Sequence, residues 1–280
     1  MDGASIKVPG KLTERAREVL AGRRAPVAPR DAATVMLLRP AAGPGVEVYL
    51  LRRKASMAFA PGGVVFPGGS VDARDADSEV AWVGPDIADW GLVLEAPPEL
   101  ARALVCAAVR ETFEESGVLL AGPSADSVVA DTSGPGWEAD RAALLDRSLS
   151  LAELLRRRGL VLRSDLLKPW SRWITPVVEE RRFDARFFAA ALPSPQQPRD
   201  VGGEAAAVAW LRPADAIAAA RRKEIVLWPP TAVTLAELGA CASVPEVLAA
   251  PRNVTPVLPG VLLADSAAWL TLPPSLDYPL

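Results

Sequence analysis

The chain carries a cluster of carboxylates near its middle, in the segment R-E-T-F-E-E-S-G-V at residues 110–118. In a helix, Glu111, Glu114 and Glu115 lie on one face, because they are spaced at i, i+3 and i+4. Three such charges repel one another unless a divalent cation or a basic partner neutralises them. Hard oxygen ligands of this kind suit Mg²⁺ or Mn²⁺, which also bind phosphate oxygens. The alternative is a solvated acidic face.

A glycine-rich turn lies upstream of these glutamates. Residues 66–72 read F-P-G-G-S-V-D and follow the apolar run at 63–66. Gly68 and Gly69 permit positive φ angles and a close approach of the backbone to a ligand or a metal. The turn therefore favours a role for the acidic helix in binding a metal ion or a ligand over a solvated acidic face.

Together the two segments resemble the signature box of the Nudix hydrolases, G-x5-E-x7-R-E-U-x-E-E-x-G-U, where U is apolar. Asp75 stands where the family has Glu, and Thr112 where an aliphatic residue is usual. In this chain 34 residues separate Asp75 from Arg110, against seven in the pattern, so 27 residues are inserted. The remaining matches are Gly69, Glu111, Glu114, Glu115, Gly117 and Val118.

The resemblance implies a fold, an α/β/α Nudix sandwich with a mixed β-sheet. An insertion and extra N- and C-terminal helical segments would be added to it. The expected organisation is a helical extension at 1–31, a Nudix domain at 32–250 that contains the insertion at 76–98, and a Pro-rich tail at 251–280.

The resemblance also implies a metal site. Mg²⁺ or Mn²⁺ would be held by Glu111 and Glu115, with Glu114 close by and the backbone carbonyl of Gly69 as a further ligand. Such an ion neutralises a pyrophosphate and lowers the pKa of a bound water.

The remaining catalytic roles follow from the same family. Glu114 or Glu204 would orient the attacking water or accept its proton. Arg110 would pair with a helix carboxylate and hold its rotamer, and Asp75 would support the cluster in place of Glu.

Residues 50–69 are similar to the segment that precedes the box in Nudix coenzyme A diphosphatases. Gly62 and Arg53 match that segment, whereas Ala58 stands in place of a second Arg and Lys54 in place of Ser. The predicted activity is hydrolysis of a pyrophosphate bond in coenzyme A or an acyl-CoA. The alternatives are ADP-ribose, NADH or a dinucleotide polyphosphate as substrate, or a nucleotide sensor without turnover. The predicted substrate-binding residues are Arg52, Arg53 and Gly68.

Composition narrows the chemistry independently. The chain has no histidine, which excludes Ser-His-Asp triads and His-ligated zinc. A net charge of -3 argues against a nucleic-acid-binding surface. No apolar run is long enough to span a membrane, and the first residues do not resemble a signal peptide. We expect a cytoplasmic protein with a small nucleotide-derived substrate, and a homodimer is compatible with the pattern. The abundance of Ala, Arg and Pro is typical of a GC-rich bacterial genome.

Periodicity and turn residues predict the elements that position these groups. The acidic helix should begin at residues 97–99, because Pro fits a first helical turn. The insertion should form a short helix and a loop, with at least one of Trp82 and Trp90 in the core. Further helices are predicted at 12–20, 137–147, 151–159, 213–222 and 231–238. Strands are predicted at 33–39, 46–53, 172–177, 185–192 and 208–211, and another beginning at 118.

Overall fold

The computed structural model describes residues 5–8, 10–54, 62–199, 205–264 and 266–280. Within those ranges, no helix has the length and apolar character needed to cross a membrane. The helices are α1 (Gly10–Leu20), α2 (Ile87–Leu94), α3 (Pro98–Ser116), α4 (Pro135–Leu145), α5 (Leu151–Arg158), α6 (Pro213–Arg221), α7 (Pro229–Gly239) and α8 (Val244–Ala249). The strands are β1 (Ser5–Lys7), β2 (Arg30–Pro40), β3 (Val46–Arg53), β4 (Gly63–Val65), β5 (Gly68–Ser70), β6 (Trp82–Val83), β7 (Ala121–Gly122), β8 (Val161–Arg163), β9 (Lys168–Ile174), β10 (Phe183–Ala191), β11 (Ala205–Leu211), β12 (Val226–Leu227), β13 (Pro256–Val257), β14 (Gly260–Ala264) and β15 (Ala267–Thr271).

A mixed sheet forms the centre of the fold, with the strand order β12-β4-β3-β2-β10-β9-β13. β11 is added beside β3, and β5 beside β2. β2 runs parallel to β10 and antiparallel to β3, with which it pairs only near their connecting turn. Further along, β4 pairs with β3 and β5 pairs with β2. The glycine-rich segment thereby lies among the central strands, where α3 packs against it.

Side chains of β2 alternate between two hydrophobic cores, as the period of a strand requires. Ala33, Val35 and Leu37 face the core that includes α2, α3, α4 and α5. Met36 and Leu38 face the opposite core, which includes α6, α7 and α8. Helices therefore cover both faces of the sheet, and the predicted α/β/α sandwich with a mixed sheet is confirmed.

The prediction of a strand that begins at residue 118 was wrong. Residues 118–120 are buried but have no regular secondary structure, and only Ala121–Gly122 forms a short strand. The side chain of Gln196 takes the place of a neighbouring strand. Its Oε1 accepts a hydrogen bond from Leu119 N at 2.9 Å, and its Nε2 donates to Leu119 O at 2.9 Å. A side-chain amide thus satisfies the hydrogen bonds of this buried backbone segment. The apolar character of the segment, taken alone, suggests a strand.

The insertion is built into the core. It contains α2, as predicted, and the short strand β6, which was not predicted. Trp90 is only 2% exposed and packs edge-on against Phe188, with 6.0 Å between ring centroids. Leu94 is fully buried in the same core, whereas Trp82 is half-buried. The expectation that at least one tryptophan anchors the insertion is confirmed.

The two ends of the chain meet in a small sheet. β15 pairs with both β1 and β14, all antiparallel. α1 packs against this sheet through Ala16, which shares a small core with Ala268 and Leu270. β13 joins the main sheet beside β9, so the described part of the tail crosses from one sheet to the other.

Candidate active site

The acidic segment lies on α3, which is buried along most of its length. Pro98 occupies the first turn, where its missing N–H costs no hydrogen bond. Gly117 ends the helix with a φ of 73°, and its N–H donates to the carbonyl of Phe113 at 2.9 Å. Thr112 fits in place of an aliphatic residue because its buried hydroxyl donates to the carbonyl of Ala108 at 2.7 Å.

Arg110 joins the two halves of the split motif. Its Nε and Nη2 donate to Asp75 Oδ1 and Oδ2 at 2.9 and 2.8 Å, a bidentate pair. Nη2 also donates to Ser70 O at 3.0 Å, and Nη1 donates to Glu111 Oε1 at 2.7 Å and Glu114 Oε1 at 3.2 Å. These five contacts match the five N–H donors of a guanidinium. Arg110 therefore holds carboxylates in place, and it has no donor left to offer a substrate.

Asp75 is positioned by a short 3-10 helix, Ala73–Ala76. Asp72 caps this helix: its side chain accepts from Arg74 N at 2.9 Å, while its own N–H donates to Asp75 Oδ2 at 2.8 Å. The Asp75 carboxylate is 2% exposed. The insertion begins at Ala76, the last residue of this helix, and the chain still returns to place Arg110 against Asp75.

The two glycines bring β5 against the glutamates. Gly68 N donates to Glu115 Oε2 at 2.8 Å. A Cβ on Gly69 would lie 2.4 Å from Glu111 Oε1, and a Cβ on Gly68 would lie 2.5 Å from the carbonyl oxygen of Ala33. No side chain fits at either position without displacing a neighbour, which explains the need for glycine at both.

The cluster carries excess negative charge. Burial raises the pKa of Glu111 to about 7, against the opposing charge of Arg110. Burial likewise raises the pKa of Glu114, Arg110 and Arg147 lower that pKa, and Asp75 raises it. A buried cation would stabilise the ionised form of both glutamates.

The donor set fits Mg²⁺ or Mn²⁺, because these ions prefer carboxylate and carbonyl oxygens. Within the described ranges, however, no three acidic side chains converge as a finished metal site. Arg110 binds two of the candidate ligands, Glu111 and Glu114. Additional ligands must therefore come from water, from backbone carbonyls or from a bound phosphate.

Other predicted residues lie elsewhere or outside the described residues. Glu204 and Ala58 both belong to residues that are not described. Arg52 is exposed and Arg53 is half-buried at the end of β3. Arg53 is paired in register with Ala205, the residue that follows Glu204 in the chain.

The structure adds three residues that the sequence did not indicate. Asp72 accepts from Arg74 Nε and Nη2 at 3.0 and 2.9 Å, and these hydrogen bonds hold the pKa of Asp72 well below its usual range. Arg147, after α4, places its Nε 3.9 Å from Asp72 Oδ2. The D-x-x-D spacing of Asp72 and Asp75 could have indicated a helix cap. Arg147 gave no such signal, because it is distant in sequence from both halves of the motif.

Comparison with known proteins agrees with this geometry. The sequence profile of the NUDT19 Nudix domain matches residues 94–238, just over half of the chain. The chain belongs to the Nudix hydrolase family. The matched segment begins after Gly69 and Asp75, so only the three-dimensional contacts show how the first half of the box reaches the second in this Nudix hydrolase.

Three curated relatives carry the name acyl-coenzyme A diphosphatase NUDT19. The protein from Gallus gallus is 31% identical over 255 residues, which cover 75% of this chain and 68% of the relative. The Homo sapiens protein is 29% identical over 246 residues, 75% of this chain and 64% of the relative. The Xenopus laevis protein is 27% identical over 240 residues, 72% of this chain and 62% of the relative. The Nudix hydrolase thus spans about two thirds of the length of these relatives. All three are vertebrate proteins and give no support to the predicted bacterial source.

A crystal structure of a Nudix hydrolase from Alicyclobacillus acidocaldarius is similar in fold. It is 29% identical and superposes with a TM-score of 0.68, covering 82% of this chain and 99% of that chain. Most of the present fold is therefore shared with a solved Nudix hydrolase.

Proposed function

We propose that this Nudix hydrolase cleaves the pyrophosphate bond of coenzyme A or an acyl-CoA and requires Mg²⁺ or Mn²⁺. The observation that carries the proposal is the buried pair Arg110–Asp75, which brings the glycine-rich turn and the acidic helix together despite the insertion. The choice of coenzyme A is supported by the names of the curated relatives and by the sequence of residues 50–69.

In the proposed site, Glu111 and Glu115 hold the metal ion, with Glu114 and the carbonyl of Gly69 nearby. When bound, the ion neutralises the pyrophosphate and lowers the pKa of a coordinated water. Gly68 supports this arrangement by fixing Glu115 through its N–H, and Arg110 fixes the other two glutamates. The carboxylates are thus oriented before a substrate arrives, which lowers the reorganisation that catalysis requires.

Hydrolysis needs a group that accepts one proton from water. The water oxygen forms a bond to one phosphorus, the bridging P–O bond breaks, and the bridging oxygen leaves with the other phosphoryl group. We propose that Glu114 or Glu204 accepts this proton. Burial raises the pKa of Glu114, which makes its carboxylate a stronger proton acceptor. Each product is a phosphomonoester.

A substrate panel tests the proposal. The full chain is freed of metal with EDTA and assayed with coenzyme A, an acyl-CoA, 3′-dephospho-CoA, ADP-ribose, NADH and diadenosine tetraphosphate, with and without Mg²⁺ or Mn²⁺. We expect metal-dependent conversion of coenzyme A to 3′,5′-ADP and 4′-phosphopantetheine. Cleavage of ADP-ribose, NADH or the dinucleotide polyphosphate, with neither coenzyme A nor the acyl-CoA hydrolysed, would replace the proposed substrate while retaining the reaction.

A nucleotide-sensing role without turnover is the alternative from another class. It predicts that coenzyme A binds in calorimetry while no phosphomonoester forms with either metal. The full set of Arg110, Glu111, Glu114 and Glu115 favours an enzyme, because a binding module has no need of mutually repelling carboxylates. A homodimer and a cytoplasmic location stay predictions, and light scattering of the purified protein would check the first.

A further inference from the structure

Arg147 has an unusual backbone conformation just after α4. Its φ is 65°, in the left-handed region that favours glycine. The N–H of Arg147 donates to the carbonyl of Leu144, and the N–H of Leu149 donates to the carbonyl of Ala143, both at 3.0 Å. This is a helix ending in which glycine is the usual left-handed residue. An arginine here carries a steric cost that glycine would avoid.

The loop that carries Arg147 is fixed to the 3-10 helix of the candidate site. Arg74 Nη1 donates to the carbonyl of Arg147 at 2.7 Å and to that of Leu149 at 3.4 Å. The same guanidinium binds both carboxylate oxygens of Asp72. Because Asp72 also binds Asp75 through its N–H, the loop and the carboxylate cluster are parts of one hydrogen-bonded unit.

The side chain of Arg147 is 78% exposed and yet stays close to this cluster. Among the described residues its ion-pair partner is Asp72, whose Oδ2 is 3.9 Å away and which is already bound by Arg74. Such an exposed pair contributes little stability. On the preceding helix, Arg141 Nη1 donates to the carbonyl of Glu114 at 3.2 Å, which fixes α4 beside the acidic helix.

We propose that Arg147 binds the pyrophosphate group of the substrate. The inference rests on the proposed function and adds a substrate contact outside the Nudix box. All donors of Arg110 are occupied, so a second guanidinium must supply any arginine contact to the phosphates at this site. The planar fork of Arg147 can donate to two phosphate oxygens at once.

The test uses Arg147→Gly, which removes the guanidinium and relieves the backbone cost at the same time. We expect an unchanged or raised Tm and a fall in kcat/KM of roughly tenfold to a hundredfold, the scale of a lost charged hydrogen bond. Lys223→Gly is the matched control. Lys223 has a φ of 63° after α6, and that helix packs on the opposite face of the sheet. This control should leave kcat/KM unchanged. Arg147→Lys keeps the charge but lacks the planar guanidinium. Its kcat/KM should lie between the values for Arg147→Gly and the unmodified chain.

A comparison of two substrates shows which phosphate group Arg147 contacts. If Arg147 binds the pyrophosphate, Arg147→Gly lowers kcat/KM by the same factor for coenzyme A and for 3′-dephospho-CoA. A loss confined to coenzyme A would place the residue at the 3′-phosphate and overturn the proposal, as would unchanged kinetics with both.

Inorganic pyrophosphate gives a second readout that needs no turnover. In calorimetry with Mg²⁺, its Kd should rise roughly tenfold in Arg147→Gly and stay constant in Lys223→Gly. An equal Kd in all three proteins would overturn the inference. If the unmodified chain hydrolysed no coenzyme A, the proposed function would fail, but this binding experiment would still decide the role of Arg147.

Discussion

The pair Arg110–Asp75 can be tested directly by replacing Asp75 with Asn. The substitution keeps the size of the side chain and removes its charge. Asp75 is 2% exposed, and both of its oxygens accept hydrogen bonds from Arg110. Whichever way the new amide turns, its NH2 group meets an N–H donor of Arg110.

The expected loss of stability follows from these contacts. Hydrogen bonds to charged groups contribute about 1.5–3 kcal/mol each, and removing one partner of a buried ion pair costs about 3–5 kcal/mol. Arg110 keeps its contacts to Glu111 and Glu114 in the variant, so the lower end of that range applies. We expect the free energy of unfolding to fall by about 3 kcal/mol. Turnover should fall roughly tenfold or more, because the two glutamates lose their fixed orientation.

Urea denaturation measures the stability, and the coenzyme A assay measures the turnover. Asp77→Asn is the matched control, since Asp77 is exposed and accepts only from the N–H of Glu79 at 2.9 Å among the described contacts. It should change stability by less than about 0.5 kcal/mol. In a double-mutant cycle with Arg110→Met, the coupling should exceed about 1 kcal/mol. If Asp75→Asn stayed within about 1 kcal/mol of the unmodified chain, the pair would not hold the two halves of the box together.

The remaining predictions concern the glutamates and glycines of the same site. Glu114→Gln and Glu115→Gln should each lower kcat by about 10²-fold or more without unfolding the protein, as measured by the same assay and by circular dichroism. Near-normal rates in either variant would exclude the acidic helix as the catalytic element. Gly69→Ala forces a methyl group against Glu111 and should reduce activity more than stability. Gly68→Ala places a methyl group against the backbone carbonyl of Ala33 and should mainly lower Tm. The geometry would be contradicted if Gly69→Ala mainly lowered Tm and Gly68→Ala mainly lowered activity.

Local sequence signals were sufficient to predict the elements that carry the box. α3 begins at Pro98 and ends before Gly117, as the proline and glycine signals indicated. β2 and β3 contain the predicted strands, since alternating side chains and a Gly/Pro turn are local features. The three glutamates could be placed on one helix for the same reason.

Contacts between distant segments could not be predicted in this way. The backbone of Leu119 is satisfied by Gln196, which is 77 residues away in the chain. Arg74 and Arg147 meet because the loop after α4 returns to the 3-10 helix at 73–76, and no spacing in the sequence encodes that return. The side chains on the candidate helix were predictable, whereas the groups that support them from other elements were not.

The insertion shows why the box can be split without losing its geometry. Extending the connection between Asp75 and Arg110 from seven to 34 residues adds about 1.4 kcal/mol of loop-closure entropy, because that cost grows only with the logarithm of length. The inserted residues bury Trp90 and Leu94, and each such side chain contributes about 1.5–3 kcal/mol on leaving water. Burial of these two side chains therefore outweighs the added loop-closure cost taken by itself. The position of Asp75 is then set by the cap on its 3-10 helix and by Arg110. A shorter carboxylate than the usual Glu suffices at this position because the helix cap, rather than the length of the side chain, brings it within reach of the guanidinium.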